Sequence, residues 1–219
     1  MAVVNARYEF LMVDAGINGR VSDGGVMSNS KFGQMFEHGE LHIPEAEPLH
    51  EEDTIEAPYF FVADDAFAMS ENLLKPYSLA GNDPLELEKR IFNYCLSRAR
   101  RVIKNVFGIL ASRFGVFQRP MMLSPEKAII VTLSCCYLHN FLKRKCGTYM
   151  AQGSVDWEDT TSHEMHAGEW RATQRDLVRL QPTLNRNMTE RAKFVRETLK
   201  SYFSTRGAVS WQWDKVQGQ

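Results

Sequence analysis

The chain has 219 residues, enough for one domain of ordinary size or one domain with a tail. Apolar residues make up 44% and charged residues 24%, which excludes wholesale disorder. The net charge of −1 conceals a split. Residues 1–88 carry 4 Lys/Arg against 17 Asp/Glu, and residues 89–145 carry 12 against a single acid, Glu126. That order fits either a basic face for a polyanion or two halves that neutralise each other.

No run reaches the ~18 apolar residues of a membrane span. The N-terminus, MAVVNARYEF, lacks the basic start and apolar stretch of a signal peptide. Neither secretion nor membrane insertion is expected. Cys95, Cys135, Cys136 and Cys146 have no metal-ligand spacing, so they read as reduced thiols acting as small hydrophobes inside the cell.

Residues 1–14 read as a β-hairpin, AVV and YEFLMV joined by Asn5-Ala6-Arg7. A glycine-rich loop, AGINGRVSDGGVMSNS, follows, then a short helix over Ser30–Phe36. Residues 37–58 are acidic and punctuated by proline. YFFVA is then a continuous apolar run ending in Asp64-Asp65, which predicts a strand buried in the middle of a sheet.

An amphipathic helix is predicted over 96–114, with Leu96, Val102, Ile103, Val106, Phe107 and Leu110 among its apolar stripe. A second helix starts at Ser124-Pro125 and closes with Lys143, Arg144, Lys145 and Gly147. It is apolar on almost every side and reads as a core helix. The chain is then polar and irregular up to Asn187. A last helix over Thr189–Phe203 places Ala192, Val195, Leu199 and Phe203 on one face, and the tail then runs out.

Three groups of residues could carry chemistry. Asp64 and Asp65 end an apolar strand, where an acid is well placed to hold a hard cation; the alternative is a turn with two solvated acids. The arginines of residues 98–101 suit phosphates, or equally the acidic segment of residues 37–56. His163 and His166 match none of the strong zinc spacings, and His139 reads as a hydrogen-bonded core histidine.

The pieces GINGRVSDGGVMSNS, YFFVADDAF with LLKPY, FNYCLSRARRVIKNVFGILASRF and SPEKAIIVTLSCCYLHNFL stand in the order found in Harbinger (PIF-type) transposases. The chain resembles that family's DDE-superfamily endonuclease domain, and the transposase-derived nucleases descended from it, over most of residues 1–145. The resemblance implies an α/β, ribonuclease-H-like fold: a mixed sheet flanked by helices, N-terminally truncated here. Residues 146–219 would be a polar linker with a C-terminal helix and tail.

The resemblance also implies chemistry. Three carboxylates hold two divalent metals, Mg2+ or Mn2+, for in-line attack on a DNA phosphodiester, because clustered acids are needed to offset two adjacent cations. The family's second acid falls on Asp64. Asp23, in VSDGG, matches a supporting loop acid, and Asp65 is a further candidate metal ligand. The third acid, a glutamate, is replaced by Lys104. The first acid belongs to a strand ahead of this hairpin, so the chain would be a gene fragment, a truncated reading frame or a domain completed by a partner.

With one acid absent and one replaced by a cation, the implied site charge falls from −3 to zero. The expectation is a degenerate nuclease, doubtful in metal binding, that acts through DNA or protein. Arg98, Arg100 and Arg101 are the candidate DNA contacts, beside a separate Myb-like DNA-binding partner and a nuclear location implied by the family. The rival is an active divalent-metal-dependent endonuclease using Asp64 and neighbouring acids.

Overall fold

The computed structural model describes residues 1–17, 21, 23–50, 55–78, 86–151, 153–173 and 188–217. In chain order the elements are β1 (Ala2–Val4), β2 (Phe10–Val13), α1 (Asp23–Asn29), α2 (Lys31–Glu37), β3 (Glu47–Pro48), β4 (Glu56–Ala57), β5 (Phe61–Val62) and β6 (Leu73–Leu74). They continue with α3 (Leu87–Arg113), α4 (Pro125–Lys145), β7 (Trp157–Glu158), β8 (Met165–His166), α5 (Glu190–Ser204) and α6 (Gln212–Gln217). Two 3₁₀ segments, Gly115–Gln118 and Glu169–Thr173, complete the order.

The mixed α/β composition matches the expectation, but the single sheet does not appear among the described residues. Their strands form four two-stranded sheets: β1–β2, β3–β4 and β7–β8 antiparallel, β5–β6 parallel. YFFVA in particular is not a strand buried mid-sheet. Pro58, without an N–H, precedes it, and a turn closed by Phe67 N–H donating to the Asp64 carbonyl follows. Only Phe61–Val62 pair, both half-buried.

The residues cluster into two compact units, one comprising Met1–Val21, Ser30–Phe32 and Arg101–Arg179, the other Ser22–Asn29, Gly33–Arg100 and Leu180–Gln219. Each draws on residues either side of position 145. Helix α3 contributes its C-terminal half to the first and its N-terminal half to the second.

In the first unit the hairpin forms as the sequence predicts. The Asn5 carboxamide oxygen accepts from the N–H groups of Arg7 and Glu9, and Tyr8 takes a left-handed φ of 63° to close the turn. Helix α4 pins the hairpin: the Asn140 side chain accepts from Phe10 N–H at 2.9 Å and donates to Phe10 C=O at 2.8 Å, standing in for a neighbouring strand. Beneath lies a core of Phe10, Val106, Leu110, Cys135 and Cys136. His139 is fully buried, as the sequence suggested, with ring nitrogens 2.8 Å from the Tyr8 carbonyl and the Tyr149 hydroxyl. All four cysteines are free thiols.

Helix α4 begins after Ser124 with Pro125 at its first position, as its sequence signals. Its burial differs from expectation. Ile130, Tyr137, Leu138 and Phe141 stand 48–73% exposed on one side, and only Cys135, Cys136 and His139 are buried. An all-round apolar sequence says which residues avoid water, not which side the chain covers.

In the second unit, α5 packs its predicted face. Ala192, Val195 and Leu199 join Ala57, Met69, Leu74, Tyr77, Phe92 and Leu96 in one core, with Phe203 against it. The Thr189 hydroxyl caps the helix by accepting from Ala192 N–H. The glycine-rich run holds a helix, α1, where a loop was expected. Gly33 lets α2 approach it so closely that a Cβ there would lie 1.9 Å from the Met27 carbonyl oxygen. The tail folds too, with Gln212 buried and donating to Phe203 C=O at the start of α6. Residues 18–20, 22, 51–54 and 174–187, parts of the runs read as loops, lie outside the described residues.

Candidate acid site at the end of strand β5

Strand β5 lies parallel to β6, Phe61 opposite Leu73 and Val62 opposite Leu74, with Ala63 N–H donating to Leu74 C=O. Two residues on, the chain turns, and that turn carries Asp64 and Asp65. The Asp64 carboxylate accepts from the N–H of Asp65 at 2.7 Å, so the turn orients the first acid with the backbone of the second.

Each acid has a protein cation of its own. Asp64 Oδ2 lies 2.6 Å from Nη2 of Arg100, on α3. Lys75, which follows β6 in LLKPY, places Nζ 3.3 Å from Asp65 Oδ1 and donates to the Asp65 backbone carbonyl at 2.9 Å. The Lys75 residue is only 4% exposed. Two carboxylates and two cations sum to zero formal charge.

That balance sets what the turn can hold. At an effective dielectric near 20, a unit charge ~4 Å away is worth about 4 kcal/mol to another unit charge. A divalent cation approaching Asp64 or Asp65 would therefore have to outcompete Arg100 and a buried ammonium. No group of three or more His, Cys, Asp or Glu side chains placed to hold a metal occurs among the described residues. The residues present do not fit a two-metal centre.

Each of the other sequence candidates has its own setting. Lys104 is exposed on α3, one helical turn after Arg100. Asp23 opens α1. Arg98 lies over the rings of Tyr94 and Trp211, 5.8 and 6.0 Å from their centroids. Arg101 Nη1 is 3.8 Å from Glu158 Oε2. Among the described residues the acids that meet Arg100 and Arg101 are Asp64 and Glu158, neither of them in the acidic segment of residues 37–56. His163 sits beside Glu158 at 3.4 Å, and His166 stacks on Trp157 with centroids 4.3 Å apart. The histidines form no metal clamp with each other.

Sequence reasoning missed a buried polar cluster, which begins at the residue after Lys104. Asn105 is 1% exposed, and its carboxamide accepts from Asp156 N–H at 2.9 Å and Trp170 Nε1–H at 3.0 Å while donating to Asp156 C=O at 3.2 Å. Asp156 in turn accepts from Gly168 N–H and twice from the Arg171 guanidinium, at 2.7 and 2.6 Å. Burial pushes the Asp156 pKa up; the Arg171 and Gly168 hydrogen bonds outweigh it, and the net shift is downward. Gly108 lets the Trp170 ring lie against α3, where a Cβ would be 2.2 Å from it. Residues 156–171 of the segment read as polar and irregular are therefore anchored. The available signal was an asparagine inside an apolar helical stripe, which must find partners when buried.

The sequence profile of the DDE superfamily endonucleases matches residues 1–140. The chain belongs to that family. It is also 29% identical over 161 residues to Protein ALP1-like of Arabidopsis thaliana, covering 73% of this chain and 36% of that protein. The chain thus spans little more than a third of that relative's length. No solved structure matches. DDE superfamily endonucleases generally use a divalent metal. No helix among the described residues is long and apolar enough to cross a membrane.

Proposed function

We propose that the chain is a Harbinger-type, transposase-derived DDE endonuclease relative with an impaired catalytic centre, acting through DNA or a protein partner, the Myb-like class included, in the nucleus. The observation that carries this reading is the pairing of Asp64 with Arg100 and Asp65 with Lys75. Lys104, at the position of the family's glutamate, adds a cation where an anion would be needed. The charge of residues 89–145, 12 Lys/Arg to one acid, supports the polyanion reading.

Manganese titration calorimetry on the chain and on Asp64→Asn, with a plasmid-nicking assay beside it, tests the reading. We expect no binding heat and no nicking from either protein, with DNA retention that falls as salt rises. Nicking that requires manganese and disappears in Asp64→Asn would overturn it in favour of the active endonuclease.

A further inference from the structure

We propose that Asp64 and Asp65 form a structural clasp in which Arg100 and Lys75 take the cation's role, fastening the end of β5 to β6 and α3. This deepens the reading of an impaired centre and rests on it.

Three observations point the same way. First, Lys75 is a buried ammonium, and a buried ammonium must be both paired and hydrogen-bonded. Asp65 meets both needs, through its carboxylate at 3.3 Å and its backbone carbonyl at 2.9 Å. Lys75 follows directly on β6, so the bond ties the end of the β5–β6 pair to the turn after β5. Second, Arg100 reaches Asp64 from a different element, across 36 positions of sequence, at the short distance of a charge-assisted bond. Third, Asp64 uses its other oxygen on Asp65 N–H, so the two acids are organised by the turn itself. These contacts join three elements that each offer little backbone pairing: β5 and β6 are two residues long, and α3 makes no ladder with them. Side-chain ionic contacts here supply a tether that so short a ladder cannot.

A double-mutant cycle reads this out. Thermal unfolding would be followed for the chain, Asp64→Asn, Arg100→Met and the double variant, in chelator and then in millimolar manganese. Each single substitution is expected to lower the midpoint by about 1–3 °C, and the double variant should fall no further than the worse single. Manganese should move none of them. Lys75→Met should cost more than Arg100→Met, because it removes a buried partner; if it fails to fold, the Arg100 cycle still decides.

Losses that add, with no manganese effect, would reject the clasp and leave the impaired-centre reading standing. A midpoint raised by manganese in the unsubstituted chain, and not in Asp64→Asn, would reject both.

Discussion

Two aspartate–arginine pairs in this molecule share an N···O distance of 2.6 Å and little else. The Asp64 side chain, in the second unit, is 54% exposed; that of Asp156, in the first, is 4% exposed. Asp64 meets Arg100 through one oxygen. Asp156 takes a two-pronged guanidinium from Arg171, adds the Gly168 N–H, and is fixed through its own backbone by Asn105. Distance alone therefore does not rank them. Water competes for the first pair and is excluded from the second, so the same contact changes from a tether into a foundation.

The largest expected effect tests that ranking directly. Asp156→Ala strands the Gly168 N–H and removes both guanidinium bonds, for a cost of about 3 kcal/mol. Arg171 is half-exposed and can rehydrate, which keeps the cost near the lower end for a broken buried pair. Urea unfolding would measure it, and a loss no greater than that of Asp64→Asn would erase the distinction between the two pairs.

Next comes the packing that the polar cluster holds in place. Gly108→Ala adds a Cβ 2.2 Å from the Trp170 ring, and Trp170 cannot swing away without breaking its Nε1–H bond to Asn105. Overpacking costs about 1–3 kcal/mol, and the helix propensity of alanine returns up to about 1 kcal/mol. We expect a net loss of about 1–2 kcal/mol by urea unfolding, with a shift in tryptophan emission. A stabilised variant would mean that the loop carrying Trp170 yields freely, and that the cluster is less rigid than its bonds suggest.

How much of this was legible in the sequence follows the same division. Local signals were read well: Ser124-Pro125 started α4, Thr189 capped α5, and the Asn5 turn closed the hairpin. The apolar run YFFVA placed Asp64 just past a strand end, and two of its residues do pair. The partners of the acids were not legible, because Arg100 and Lys75 are brought to Asp64 and Asp65 by tertiary folding, which leaves no periodic trace. Asn105 was hidden for the opposite reason. Inside the run VIKNVFG it stands beside Lys104 as a second polar residue, and only its burial shows it to be the anchor of the loop. On α4, composition predicted cover on all sides, yet Ile130, Tyr137 and Phe141 are bare.

The smallest effect is a slope rather than a step, and it extends the comparison to a buried polar group that holds its place without charge. His139 is packed among Phe10, Tyr149 and the Tyr8 carbonyl. A carbonyl can only accept, so Nε2 carries the proton and donates to Tyr8, and Nδ1 accepts from the Tyr149 hydroxyl. Burial holds the His139 pKa below its ordinary 6.5; the Tyr8 carbonyl pulls it up, Lys143 pushes it down and Glu9 raises it, and burial prevails. The unfolded chain therefore takes up a proton first as pH falls below about 6.5, while the folded chain still refuses it. Stability should be level above that pH and decline below it, by at most about 1.4 kcal/mol per pH unit for one proton, until the folded ring titrates as well. Urea midpoints between pH 8 and pH 5 would show the decline, on the order of one protonation in size. In His139→Gln, which keeps a donor and an acceptor but cannot take a proton, this component should vanish. A slope that survives the substitution would assign it to other groups, and would remove His139 as the neutral counterpart of the Asp156 cluster.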